Sequence, residues 1–507
     1  MQSHVERPVP PWRNPWKLAG LLLGLGAFAT ILAVDSPLAN YGEYGSRPAR
    51  ALAVTALMAT WWFSEALPIY ATACVPLVLF PALGVFGGDP GLGVGERPGI
   101  HLWTNLGAAA RPYVDAYIFL FLGGMCIAAA MQQWNLHRRI ALGIMAFTGT
   151  RPRRLLFGVL LATVAISMWI SNTATATMMM PIGMAVIREL EHRMGGKRLE
   201  HFGAAIMLAI AYGANVGGIG TKIGTAPNAQ FAGFLGREGI DISFLSFMAV
   251  GTGFVVLFTP LVALVLWRVG RRDAPGEEVG AAVLAEERAK LGPIGRGEIL
   301  VACVFCAAAA LWIAAKPLTD MLAPRITDFA LRTAHVEGGI AMAAALVLLV
   351  ARVQGRAGLE LASLRFVPWP TLILLGGGFS MAAGVQESGL SAWIGGELGA
   401  LRGMPLMGQL AVASLAGVAI SAVASNTATI GVMLPVLWGA VARESAPAVL
   451  FAATIACSCD FALPAGTPPN AIVFGSGYVS IPRMARTGIL LDLAAAVLAA
   501  LWCWVAV

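Results

Sequence analysis

The sequence predicts an all-α integral membrane protein, with about 11 transmembrane helices plus two re-entrant hairpins in two inverted-topology repeats. Three observations carry that prediction. The 507-residue chain is 58% hydrophobic and only 12% charged, whereas soluble domains carry roughly 25% charged residues. Its apolar segments run long without the polar alternation of a barrel strand. Finally, two polar clusters occur twice, in the same order, in the two halves of the chain.

The elements follow in order. Arg7, Arg13 and Lys17 precede an apolar stretch from Leu18 to Val34 with no small-residue cleavage site behind it, which reads as an uncleaved first span. Further full spans are expected near 50–66, 69–87, 114–134, 203–235, 243–267, 299–322, 337–351, 366–386, 447–475 and 487–506. Segments 155–187 and 406–441 fit neither one crossing nor two, because a ~30 Å hydrocarbon core takes about 20 helical residues. Each carries Ser-Asn-Thr near its middle, so each is expected to fold back as a hairpin with the tripeptide at its tip. Non-helical backbone is tolerated at that depth only where it lines a cavity.

Lys and Arg placement tests the arrangement. With the N-terminus inside and both hairpins returning to the side they came from, 23 basic residues fall inside and 10 outside. That bias obeys the positive-inside rule; an ordinary single span at either hairpin would swap every later loop and erase it. The first hairpin then enters from the cytoplasm and the second from outside, which defines an inverted repeat. The expected divisions are a tail and first span over 1–49, repeat one over 50–267, a cytoplasmic linker over 268–298 and repeat two over 299–507.

The duplicated clusters are Ser171-Asn172-Thr173-Ala174-Thr175 with Pro181, and Ser425-Asn426-Thr427-Ala428-Thr429 with Pro435, at an offset of 254. Gly224-Thr225-Ala226-Pro227-Asn228 matches Gly466-Thr467-Pro468-Pro469-Asn470 at 242, and Leu122-Gly123-Gly124 matches Leu375-Gly376-Gly377 at 253. Ser167 and Ser421 place a hydroxyl one helical turn before each tip. Polar groups at membrane depth are costly and mark ligand paths. Exposed helix N-termini suit carboxylates, while hydroxyl, amide and carbonyl oxygens suit a hard cation such as sodium. A pseudo-symmetric pair of such sites suits an anion charged at both ends, such as a dicarboxylate. Isolated Ser, Thr and Gly in membrane helices serve as packing contacts; a matched set with matched breaks calls for a ligand.

With its Trp61-Trp62-Phe63-Ser64-Glu65-Ala66-Leu67-Pro68 segment, both Ser-Asn-Thr tips and the run Gly466 to Phe474, nearly the whole chain resembles the divalent anion/sodium symporter family of dicarboxylate and citrate transporters. The resemblance implies a homodimer in the cell membrane, with a scaffold holding the interface and hairpins plus broken helices moving as an elevator. It implies substrate contacts from Ser171, Asn172, Thr173, Ser425, Asn426 and Thr427, joined by Thr225, Thr467 and Pro468. One sodium is expected among Ser167, Ser171, Asn172 and the Gly224 carbonyl, and another among Ser421, Ala424, Asn426 and the Gly466 carbonyl. Sodium-coupled uptake of succinate, malate or fumarate is the reading; dicarboxylate exchange, or citrate or sulfate symport, is the alternative within the same fold.

Lys222 sits inside the first broken helix. It either attracts substrate, partly replaces sodium as in exchange-type relatives, or is a snorkelling residue at a helix break, the last being the expectation. Asp460 and Glu65 adjoin helix ends, where a structural role is expected over ion coupling. An enzyme is disfavoured: the sequence offers no HExxH, no GxSxG and no evident pair of intramembrane carboxylates. Cys303 and Cys306 form a lone CxxC in an apolar run, read as packing rather than a metal or redox site. The net charge of +7 belongs to the loop asymmetry, and no nucleic-acid partner is implied.

Overall fold

The computed structural model describes residues 14–34, 37–86, 98–276, 280–326 and 330–507. Among them the chain is helical throughout, apart from one two-stranded antiparallel ribbon pairing Arg352 with Ala357 and Val353 with Arg356. Six helical stretches are long and apolar enough to cross a membrane, among them Phe244–Gly270 and Ile481–Ala506. The remaining apolar segments are shorter or interrupted, and four of the interruptions fall at the duplicated motifs.

Both segments expected to form hairpins are split at the tripeptide into two helices. The first joins Pro152–Ser167 to Asn172–Arg193, and the second joins Leu406–Ser421 to Asn426–Ala440. In each, the second arm begins at the Asn of Ser-Asn-Thr. Ser171 caps the first, its hydroxyl accepting the Ala174 amide at 3.4 Å; a short polar side chain there satisfies a donor that the helix cannot. Pro181 and Pro435 lie inside the two returning arms at matching positions.

Both expected broken helices are broken. The first is Glu200–Gly218 followed by Ala226–Arg237, and the second is Ala446–Ser458 followed by Pro468–Phe474. Pro227 and Pro468–Pro469 sit in the first turn of each restarting helix, where the missing amide costs nothing. The break itself is a run of turns.

Three departures from the sequence reading have physical causes. The segment after Gln133 is a helix, Leu136–Thr148, with a one-sided apolar stripe too short and too basic to cross a membrane. The linker also contains a helix, Gly280–Leu291. Arg139 ties this region together by a two-pronged contact with Glu298 (2.8 and 3.0 Å), and Arg138 reaches Glu287 at 3.1 Å. The span expected at 299–322 splits into Arg296–Ile313 and Ala315–Leu322, and only its first part is long and apolar enough to cross.

Two compact units emerge, each drawing on both halves of the sequence. The first comprises residues 1–114, 373–403 and 427–443; the second comprises 115–372, 404–426 and 444–507. The first unit is built on a buried cluster that includes Trp62, Met58, Phe80, Met381 and Leu390. The second contains the whole first hairpin, both broken helices and the second hairpin through Asn426.

Candidate functional site

In the second unit, each tip is tied to the broken helix of its own repeat by the same pair of contacts. Ser167 Oγ lies 3.0 Å from Asn172 Oδ1 and 2.7 Å from the Ala214 carbonyl. Ser421 Oγ lies 2.8 Å from Asn426 Oδ1 and 2.7 Å from the Cys457 carbonyl. Both serines are fully buried. A hydroxyl has a single proton to donate, so each cluster gathers three oxygens around one proton. Such a surplus of lone pairs is the donor set a hard monovalent cation accepts, and it recurs in both repeats, with the carbonyls of Ala214 and Cys457, neither of them a predicted ligand, in the clusters.

The breaks obey the same internal symmetry. Asn228 Nδ2 donates to the carbonyls of Gly218 (2.9 Å) and Thr221 (2.7 Å). Asn470 Nδ2 donates to those of Asp460 (3.1 Å) and Leu463 (3.0 Å). All three pairs of positions differ by 242, the offset of the Gly-Thr motifs. Each amide group thus satisfies carbonyls freed by the helix break, and each Asn keeps a buried Oδ1 without a hydrogen-bond partner.

Across the repeats, Asn215 links the two breaks, donating from Nδ2 to the Asp460 carbonyl at 3.0 Å and to Thr467 Oγ1 at 3.1 Å. Tyr212 adds a bond from its hydroxyl to the Phe461 carbonyl at 3.0 Å. Thr467 also caps its helix, accepting the Asn470 amide at 3.4 Å.

The remaining predicted residues distribute as follows. Ser171, Asn172, Ser425 and Asn426 are half-buried, Thr173 is exposed and Ala424 is buried. Thr225 is half-buried at the start of its helix and Pro468 is exposed at the start of the other. Gly224 and Gly466 lie in the two breaks. Thr427 begins the part of the second hairpin that belongs to the first unit.

Two expectations are corrected. Lys222 does not snorkel: it is 1% exposed, with Nζ 2.7 Å from Glu337 Oε2, a further bond to the Ile242 carbonyl, and the Tyr117 ring 5.4 Å away. Glu337 in turn accepts the Phe244 amide at 2.5 Å. Enclosed by protein, the charge is neutralised internally by Glu337. The second correction concerns carboxylates. Asp460 and Asp492 are both buried in the second unit, and Asp492 accepts the amide of Phe461, the residue next to Asp460, at 2.9 Å. Their separation by more than thirty positions hid this proximity.

Sequence reasoning also missed Asn215, Asn228 and Asn470 as working residues. The last two end the duplicated motifs, so the signal was present. Asn215 carried none, since this Asn in an apolar helix has no repeat partner: Cys457 stands 242 positions on.

Comparison with known proteins places this architecture. The family model for the sodium:sulfate symporter transmembrane region matches residues 21–507. The sodium-dependent dicarboxylate transporter SdcS of Staphylococcus saprophyticus is 33% identical over 497 residues, covering 95% of this chain and 89% of that protein. Its counterpart from Staphylococcus aureus strain USA300 is 34% identical over 496 residues, with the same coverage. Among solved structures, the Alcanivorax borkumensis YdaH transporter aligns with a TM-score of 0.54 at 16% identity, covering 86% of this chain and 97% of that one. Neisseria gonorrhoeae MtrF, described as one of a class of antimetabolite efflux pumps, aligns with 0.53 at 12% identity, covering 88% and 97%. These two likenesses speak to the fold alone.

Proposed function

Because this chain belongs to the sodium:sulfate symporter family, we propose that it is a secondary active transporter carrying C4-dicarboxylates such as succinate, malate or fumarate together with sodium. The observation that carries the reading is the pair of matched oxygen clusters, Ser167–Asn172–Ala214 and Ser421–Asn426–Cys457. Each has more acceptors than protons and no side-chain carboxylate among its three groups, which suits a cation of low charge. The SdcS relatives, named as sodium-dependent dicarboxylate transporters, support the same substrate and ion.

Ser167, Ser171, Asn172 and the Gly224 carbonyl hold one sodium in this reading, and Ser421, Ala424, Asn426 and the Gly466 carbonyl the other. The tips present Asn172, Thr173, Asn426 and Thr427 to the carboxylates, with Ser171, Ser425, Thr225, Thr467 and Pro468 around them. Sodium bridges each tip to its broken helix and so fixes the tip amides before the anion arrives. The two clusters and the Asn215 bond joining the breaks lie in one compact unit, which favours an elevator carrying both cation sites together. Placement in the cell membrane with the N-terminus inside, the repeat boundaries given above and a homodimer complete the proposal. Exchange without sodium loses its one sequence-based support, since Glu337 already neutralises Lys222.

Uptake of labelled succinate into proteoliposomes, with an inward sodium gradient and with potassium in its place, tests this directly. Uptake is expected only with sodium. Replacing both Thr173 and Thr427 by Val removes two hydroxyl donors and is expected to abolish it with the melting temperature retained. Uptake driven equally by potassium, or undiminished in the double variant, refutes the reading.

A further inference from the structure

The two broken helices share their Asn-to-carbonyl scaffold but differ in the charges they carry. At the position 242 residues after Gly218 stands Asp460, 1% exposed, with neither carboxylate oxygen accepting a hydrogen bond. The Ala462 amide approaches it without meeting hydrogen-bond geometry. A Cβ added at Gly466 would fall 2.1 Å from Asp460 Oδ2 and 2.6 Å from Oδ1, so the carboxylate lies directly against that glycine. In repeat one, the atoms nearest such a Cβ at the equivalent Gly224 belong to the Gly218 backbone, its carbonyl oxygen at 2.4 Å.

The surroundings of Asp460 are short of donors. Asn215 and Asn470 both spend their Nδ2 groups on the Asp460 backbone carbonyl, at 3.0 and 3.1 Å, leaving both their Oδ1 atoms buried and unpartnered. Asp492, a second buried carboxylate, spends an oxygen on the Phe461 amide. An unpaired buried charge is expensive, costing several kcal/mol even after relaxation. Four partnerless oxygens on three side chains at one break call for a cation rather than for another hydrogen bond.

We propose that the Asp460 carboxylate is an anionic ligand of the sodium site in repeat two, making that site charged where the repeat-one site is neutral. The inference rests on the sodium-coupled reading above and goes beyond its ligand set, which is uncharged in both repeats. A hard carboxylate oxygen strengthens the hold on sodium by charge as well as by coordination. The repeat-two site is then the one that fills first, in the absence of substrate.

The test is sodium-dependent thermal stabilisation of the purified full-length protein in detergent, without dicarboxylate, at constant ionic strength with choline as the replacement cation. Asp460→Asn keeps the shape, and Asp460→Gly installs what repeat one carries. Both are expected to raise the half-stabilising sodium concentration at least about tenfold while leaving the sodium-free melting temperature unchanged or higher. Asp492→Asn, which weakens a backbone bond instead, is expected to lower the melting temperature without moving the sodium midpoint. A wild-type midpoint in both Asp460 variants, a sodium-free melting temperature that falls in both, or failure of both to fold overturns the proposal. If the wild type itself shows neither sodium stabilisation nor sodium-dependent uptake, the transport reading fails instead.

Discussion

Repeat one carries a lysine in its break and repeat two an aspartate, and the two charges are handled in opposite ways. Lys222 is closed off by Glu337, the Ile242 carbonyl and the Tyr117 ring. Asp460 has no such closure. Both breaks keep the same Asn-to-carbonyl scaffold, through Asn228 and Asn470. A duplicated fold thus preserves the backbone device that holds a helix open and lets the charge within it diverge. The lysine sits where a structural ion pair completes it, and the aspartate sits where something mobile has to.

The largest effect expected from this contrast is on stability in repeat one. Lys222→Met leaves Glu337 buried without its counter-charge, which costs about 3–5 kcal/mol. Adding Glu337→Gln removes the stranded charge and is expected to restore most of the loss. Thermal melting of the detergent-solubilised variants reads both outcomes. A single variant that melts like the wild type breaks the comparison, because Lys222 would then be as free as Asp460.

A second, intermediate effect compares the motif glycines. A Cβ at Gly224 would meet the Gly218 backbone, whose carbonyl oxygen, carbon and Cα lie 2.4, 3.0 and 3.0 Å away, so the loop itself has to shift. Overpacking of this kind costs about 1–3 kcal/mol, and Gly224→Ala is expected to cut uptake roughly tenfold or more at any sodium concentration. Gly466→Ala meets a side-chain carboxylate that swings aside. It is expected to keep maximal uptake within about threefold and to raise the sodium requirement instead. Equal losses of maximal uptake in the two variants would remove the asymmetry.

The symmetric part of this picture was legible in the sequence because symmetry writes itself as repetition. Ser167 and Ser421, the two Ser-Asn-Thr tips and the two Gly-Thr motifs all stood out by recurring in the same order, at offsets of 254 and 242. The hairpins and breaks followed from segment length against membrane thickness and from the prolines that restart each helix. What stayed hidden was pairing between residues far apart in the chain. Nothing near Lys222 announces Glu337, which lies 115 positions on, so an internally closed ion pair read as a snorkelling side chain. Asp460 and Asp492 were hidden likewise, one in a helix break and the other on the last helix. The helices Leu136–Thr148 and Gly280–Leu291 escaped for another reason: a search for membrane-length apolar runs passes over short amphipathic elements.

The smallest expected effect is the most discriminating. Ser167→Ala and Ser421→Ala each delete one buried hydroxyl from otherwise matched clusters. Such a hydrogen bond is worth about 0.5–1.5 kcal/mol, or roughly two- to twelvefold in an affinity. With two equivalent neutral sites, the two variants raise the sodium concentration for half-maximal uptake equally. With Asp460 supplying charge to one of them, the Ser421 variant keeps its strongest ligand and shifts less than the Ser167 variant. Removing Asp460 in the Ser421→Ala background is then expected to bring out the full penalty, since the two changes fall on one site and do not add independently. Equal shifts in the single variants, and simple addition in the double, would return the two repeats to equivalence.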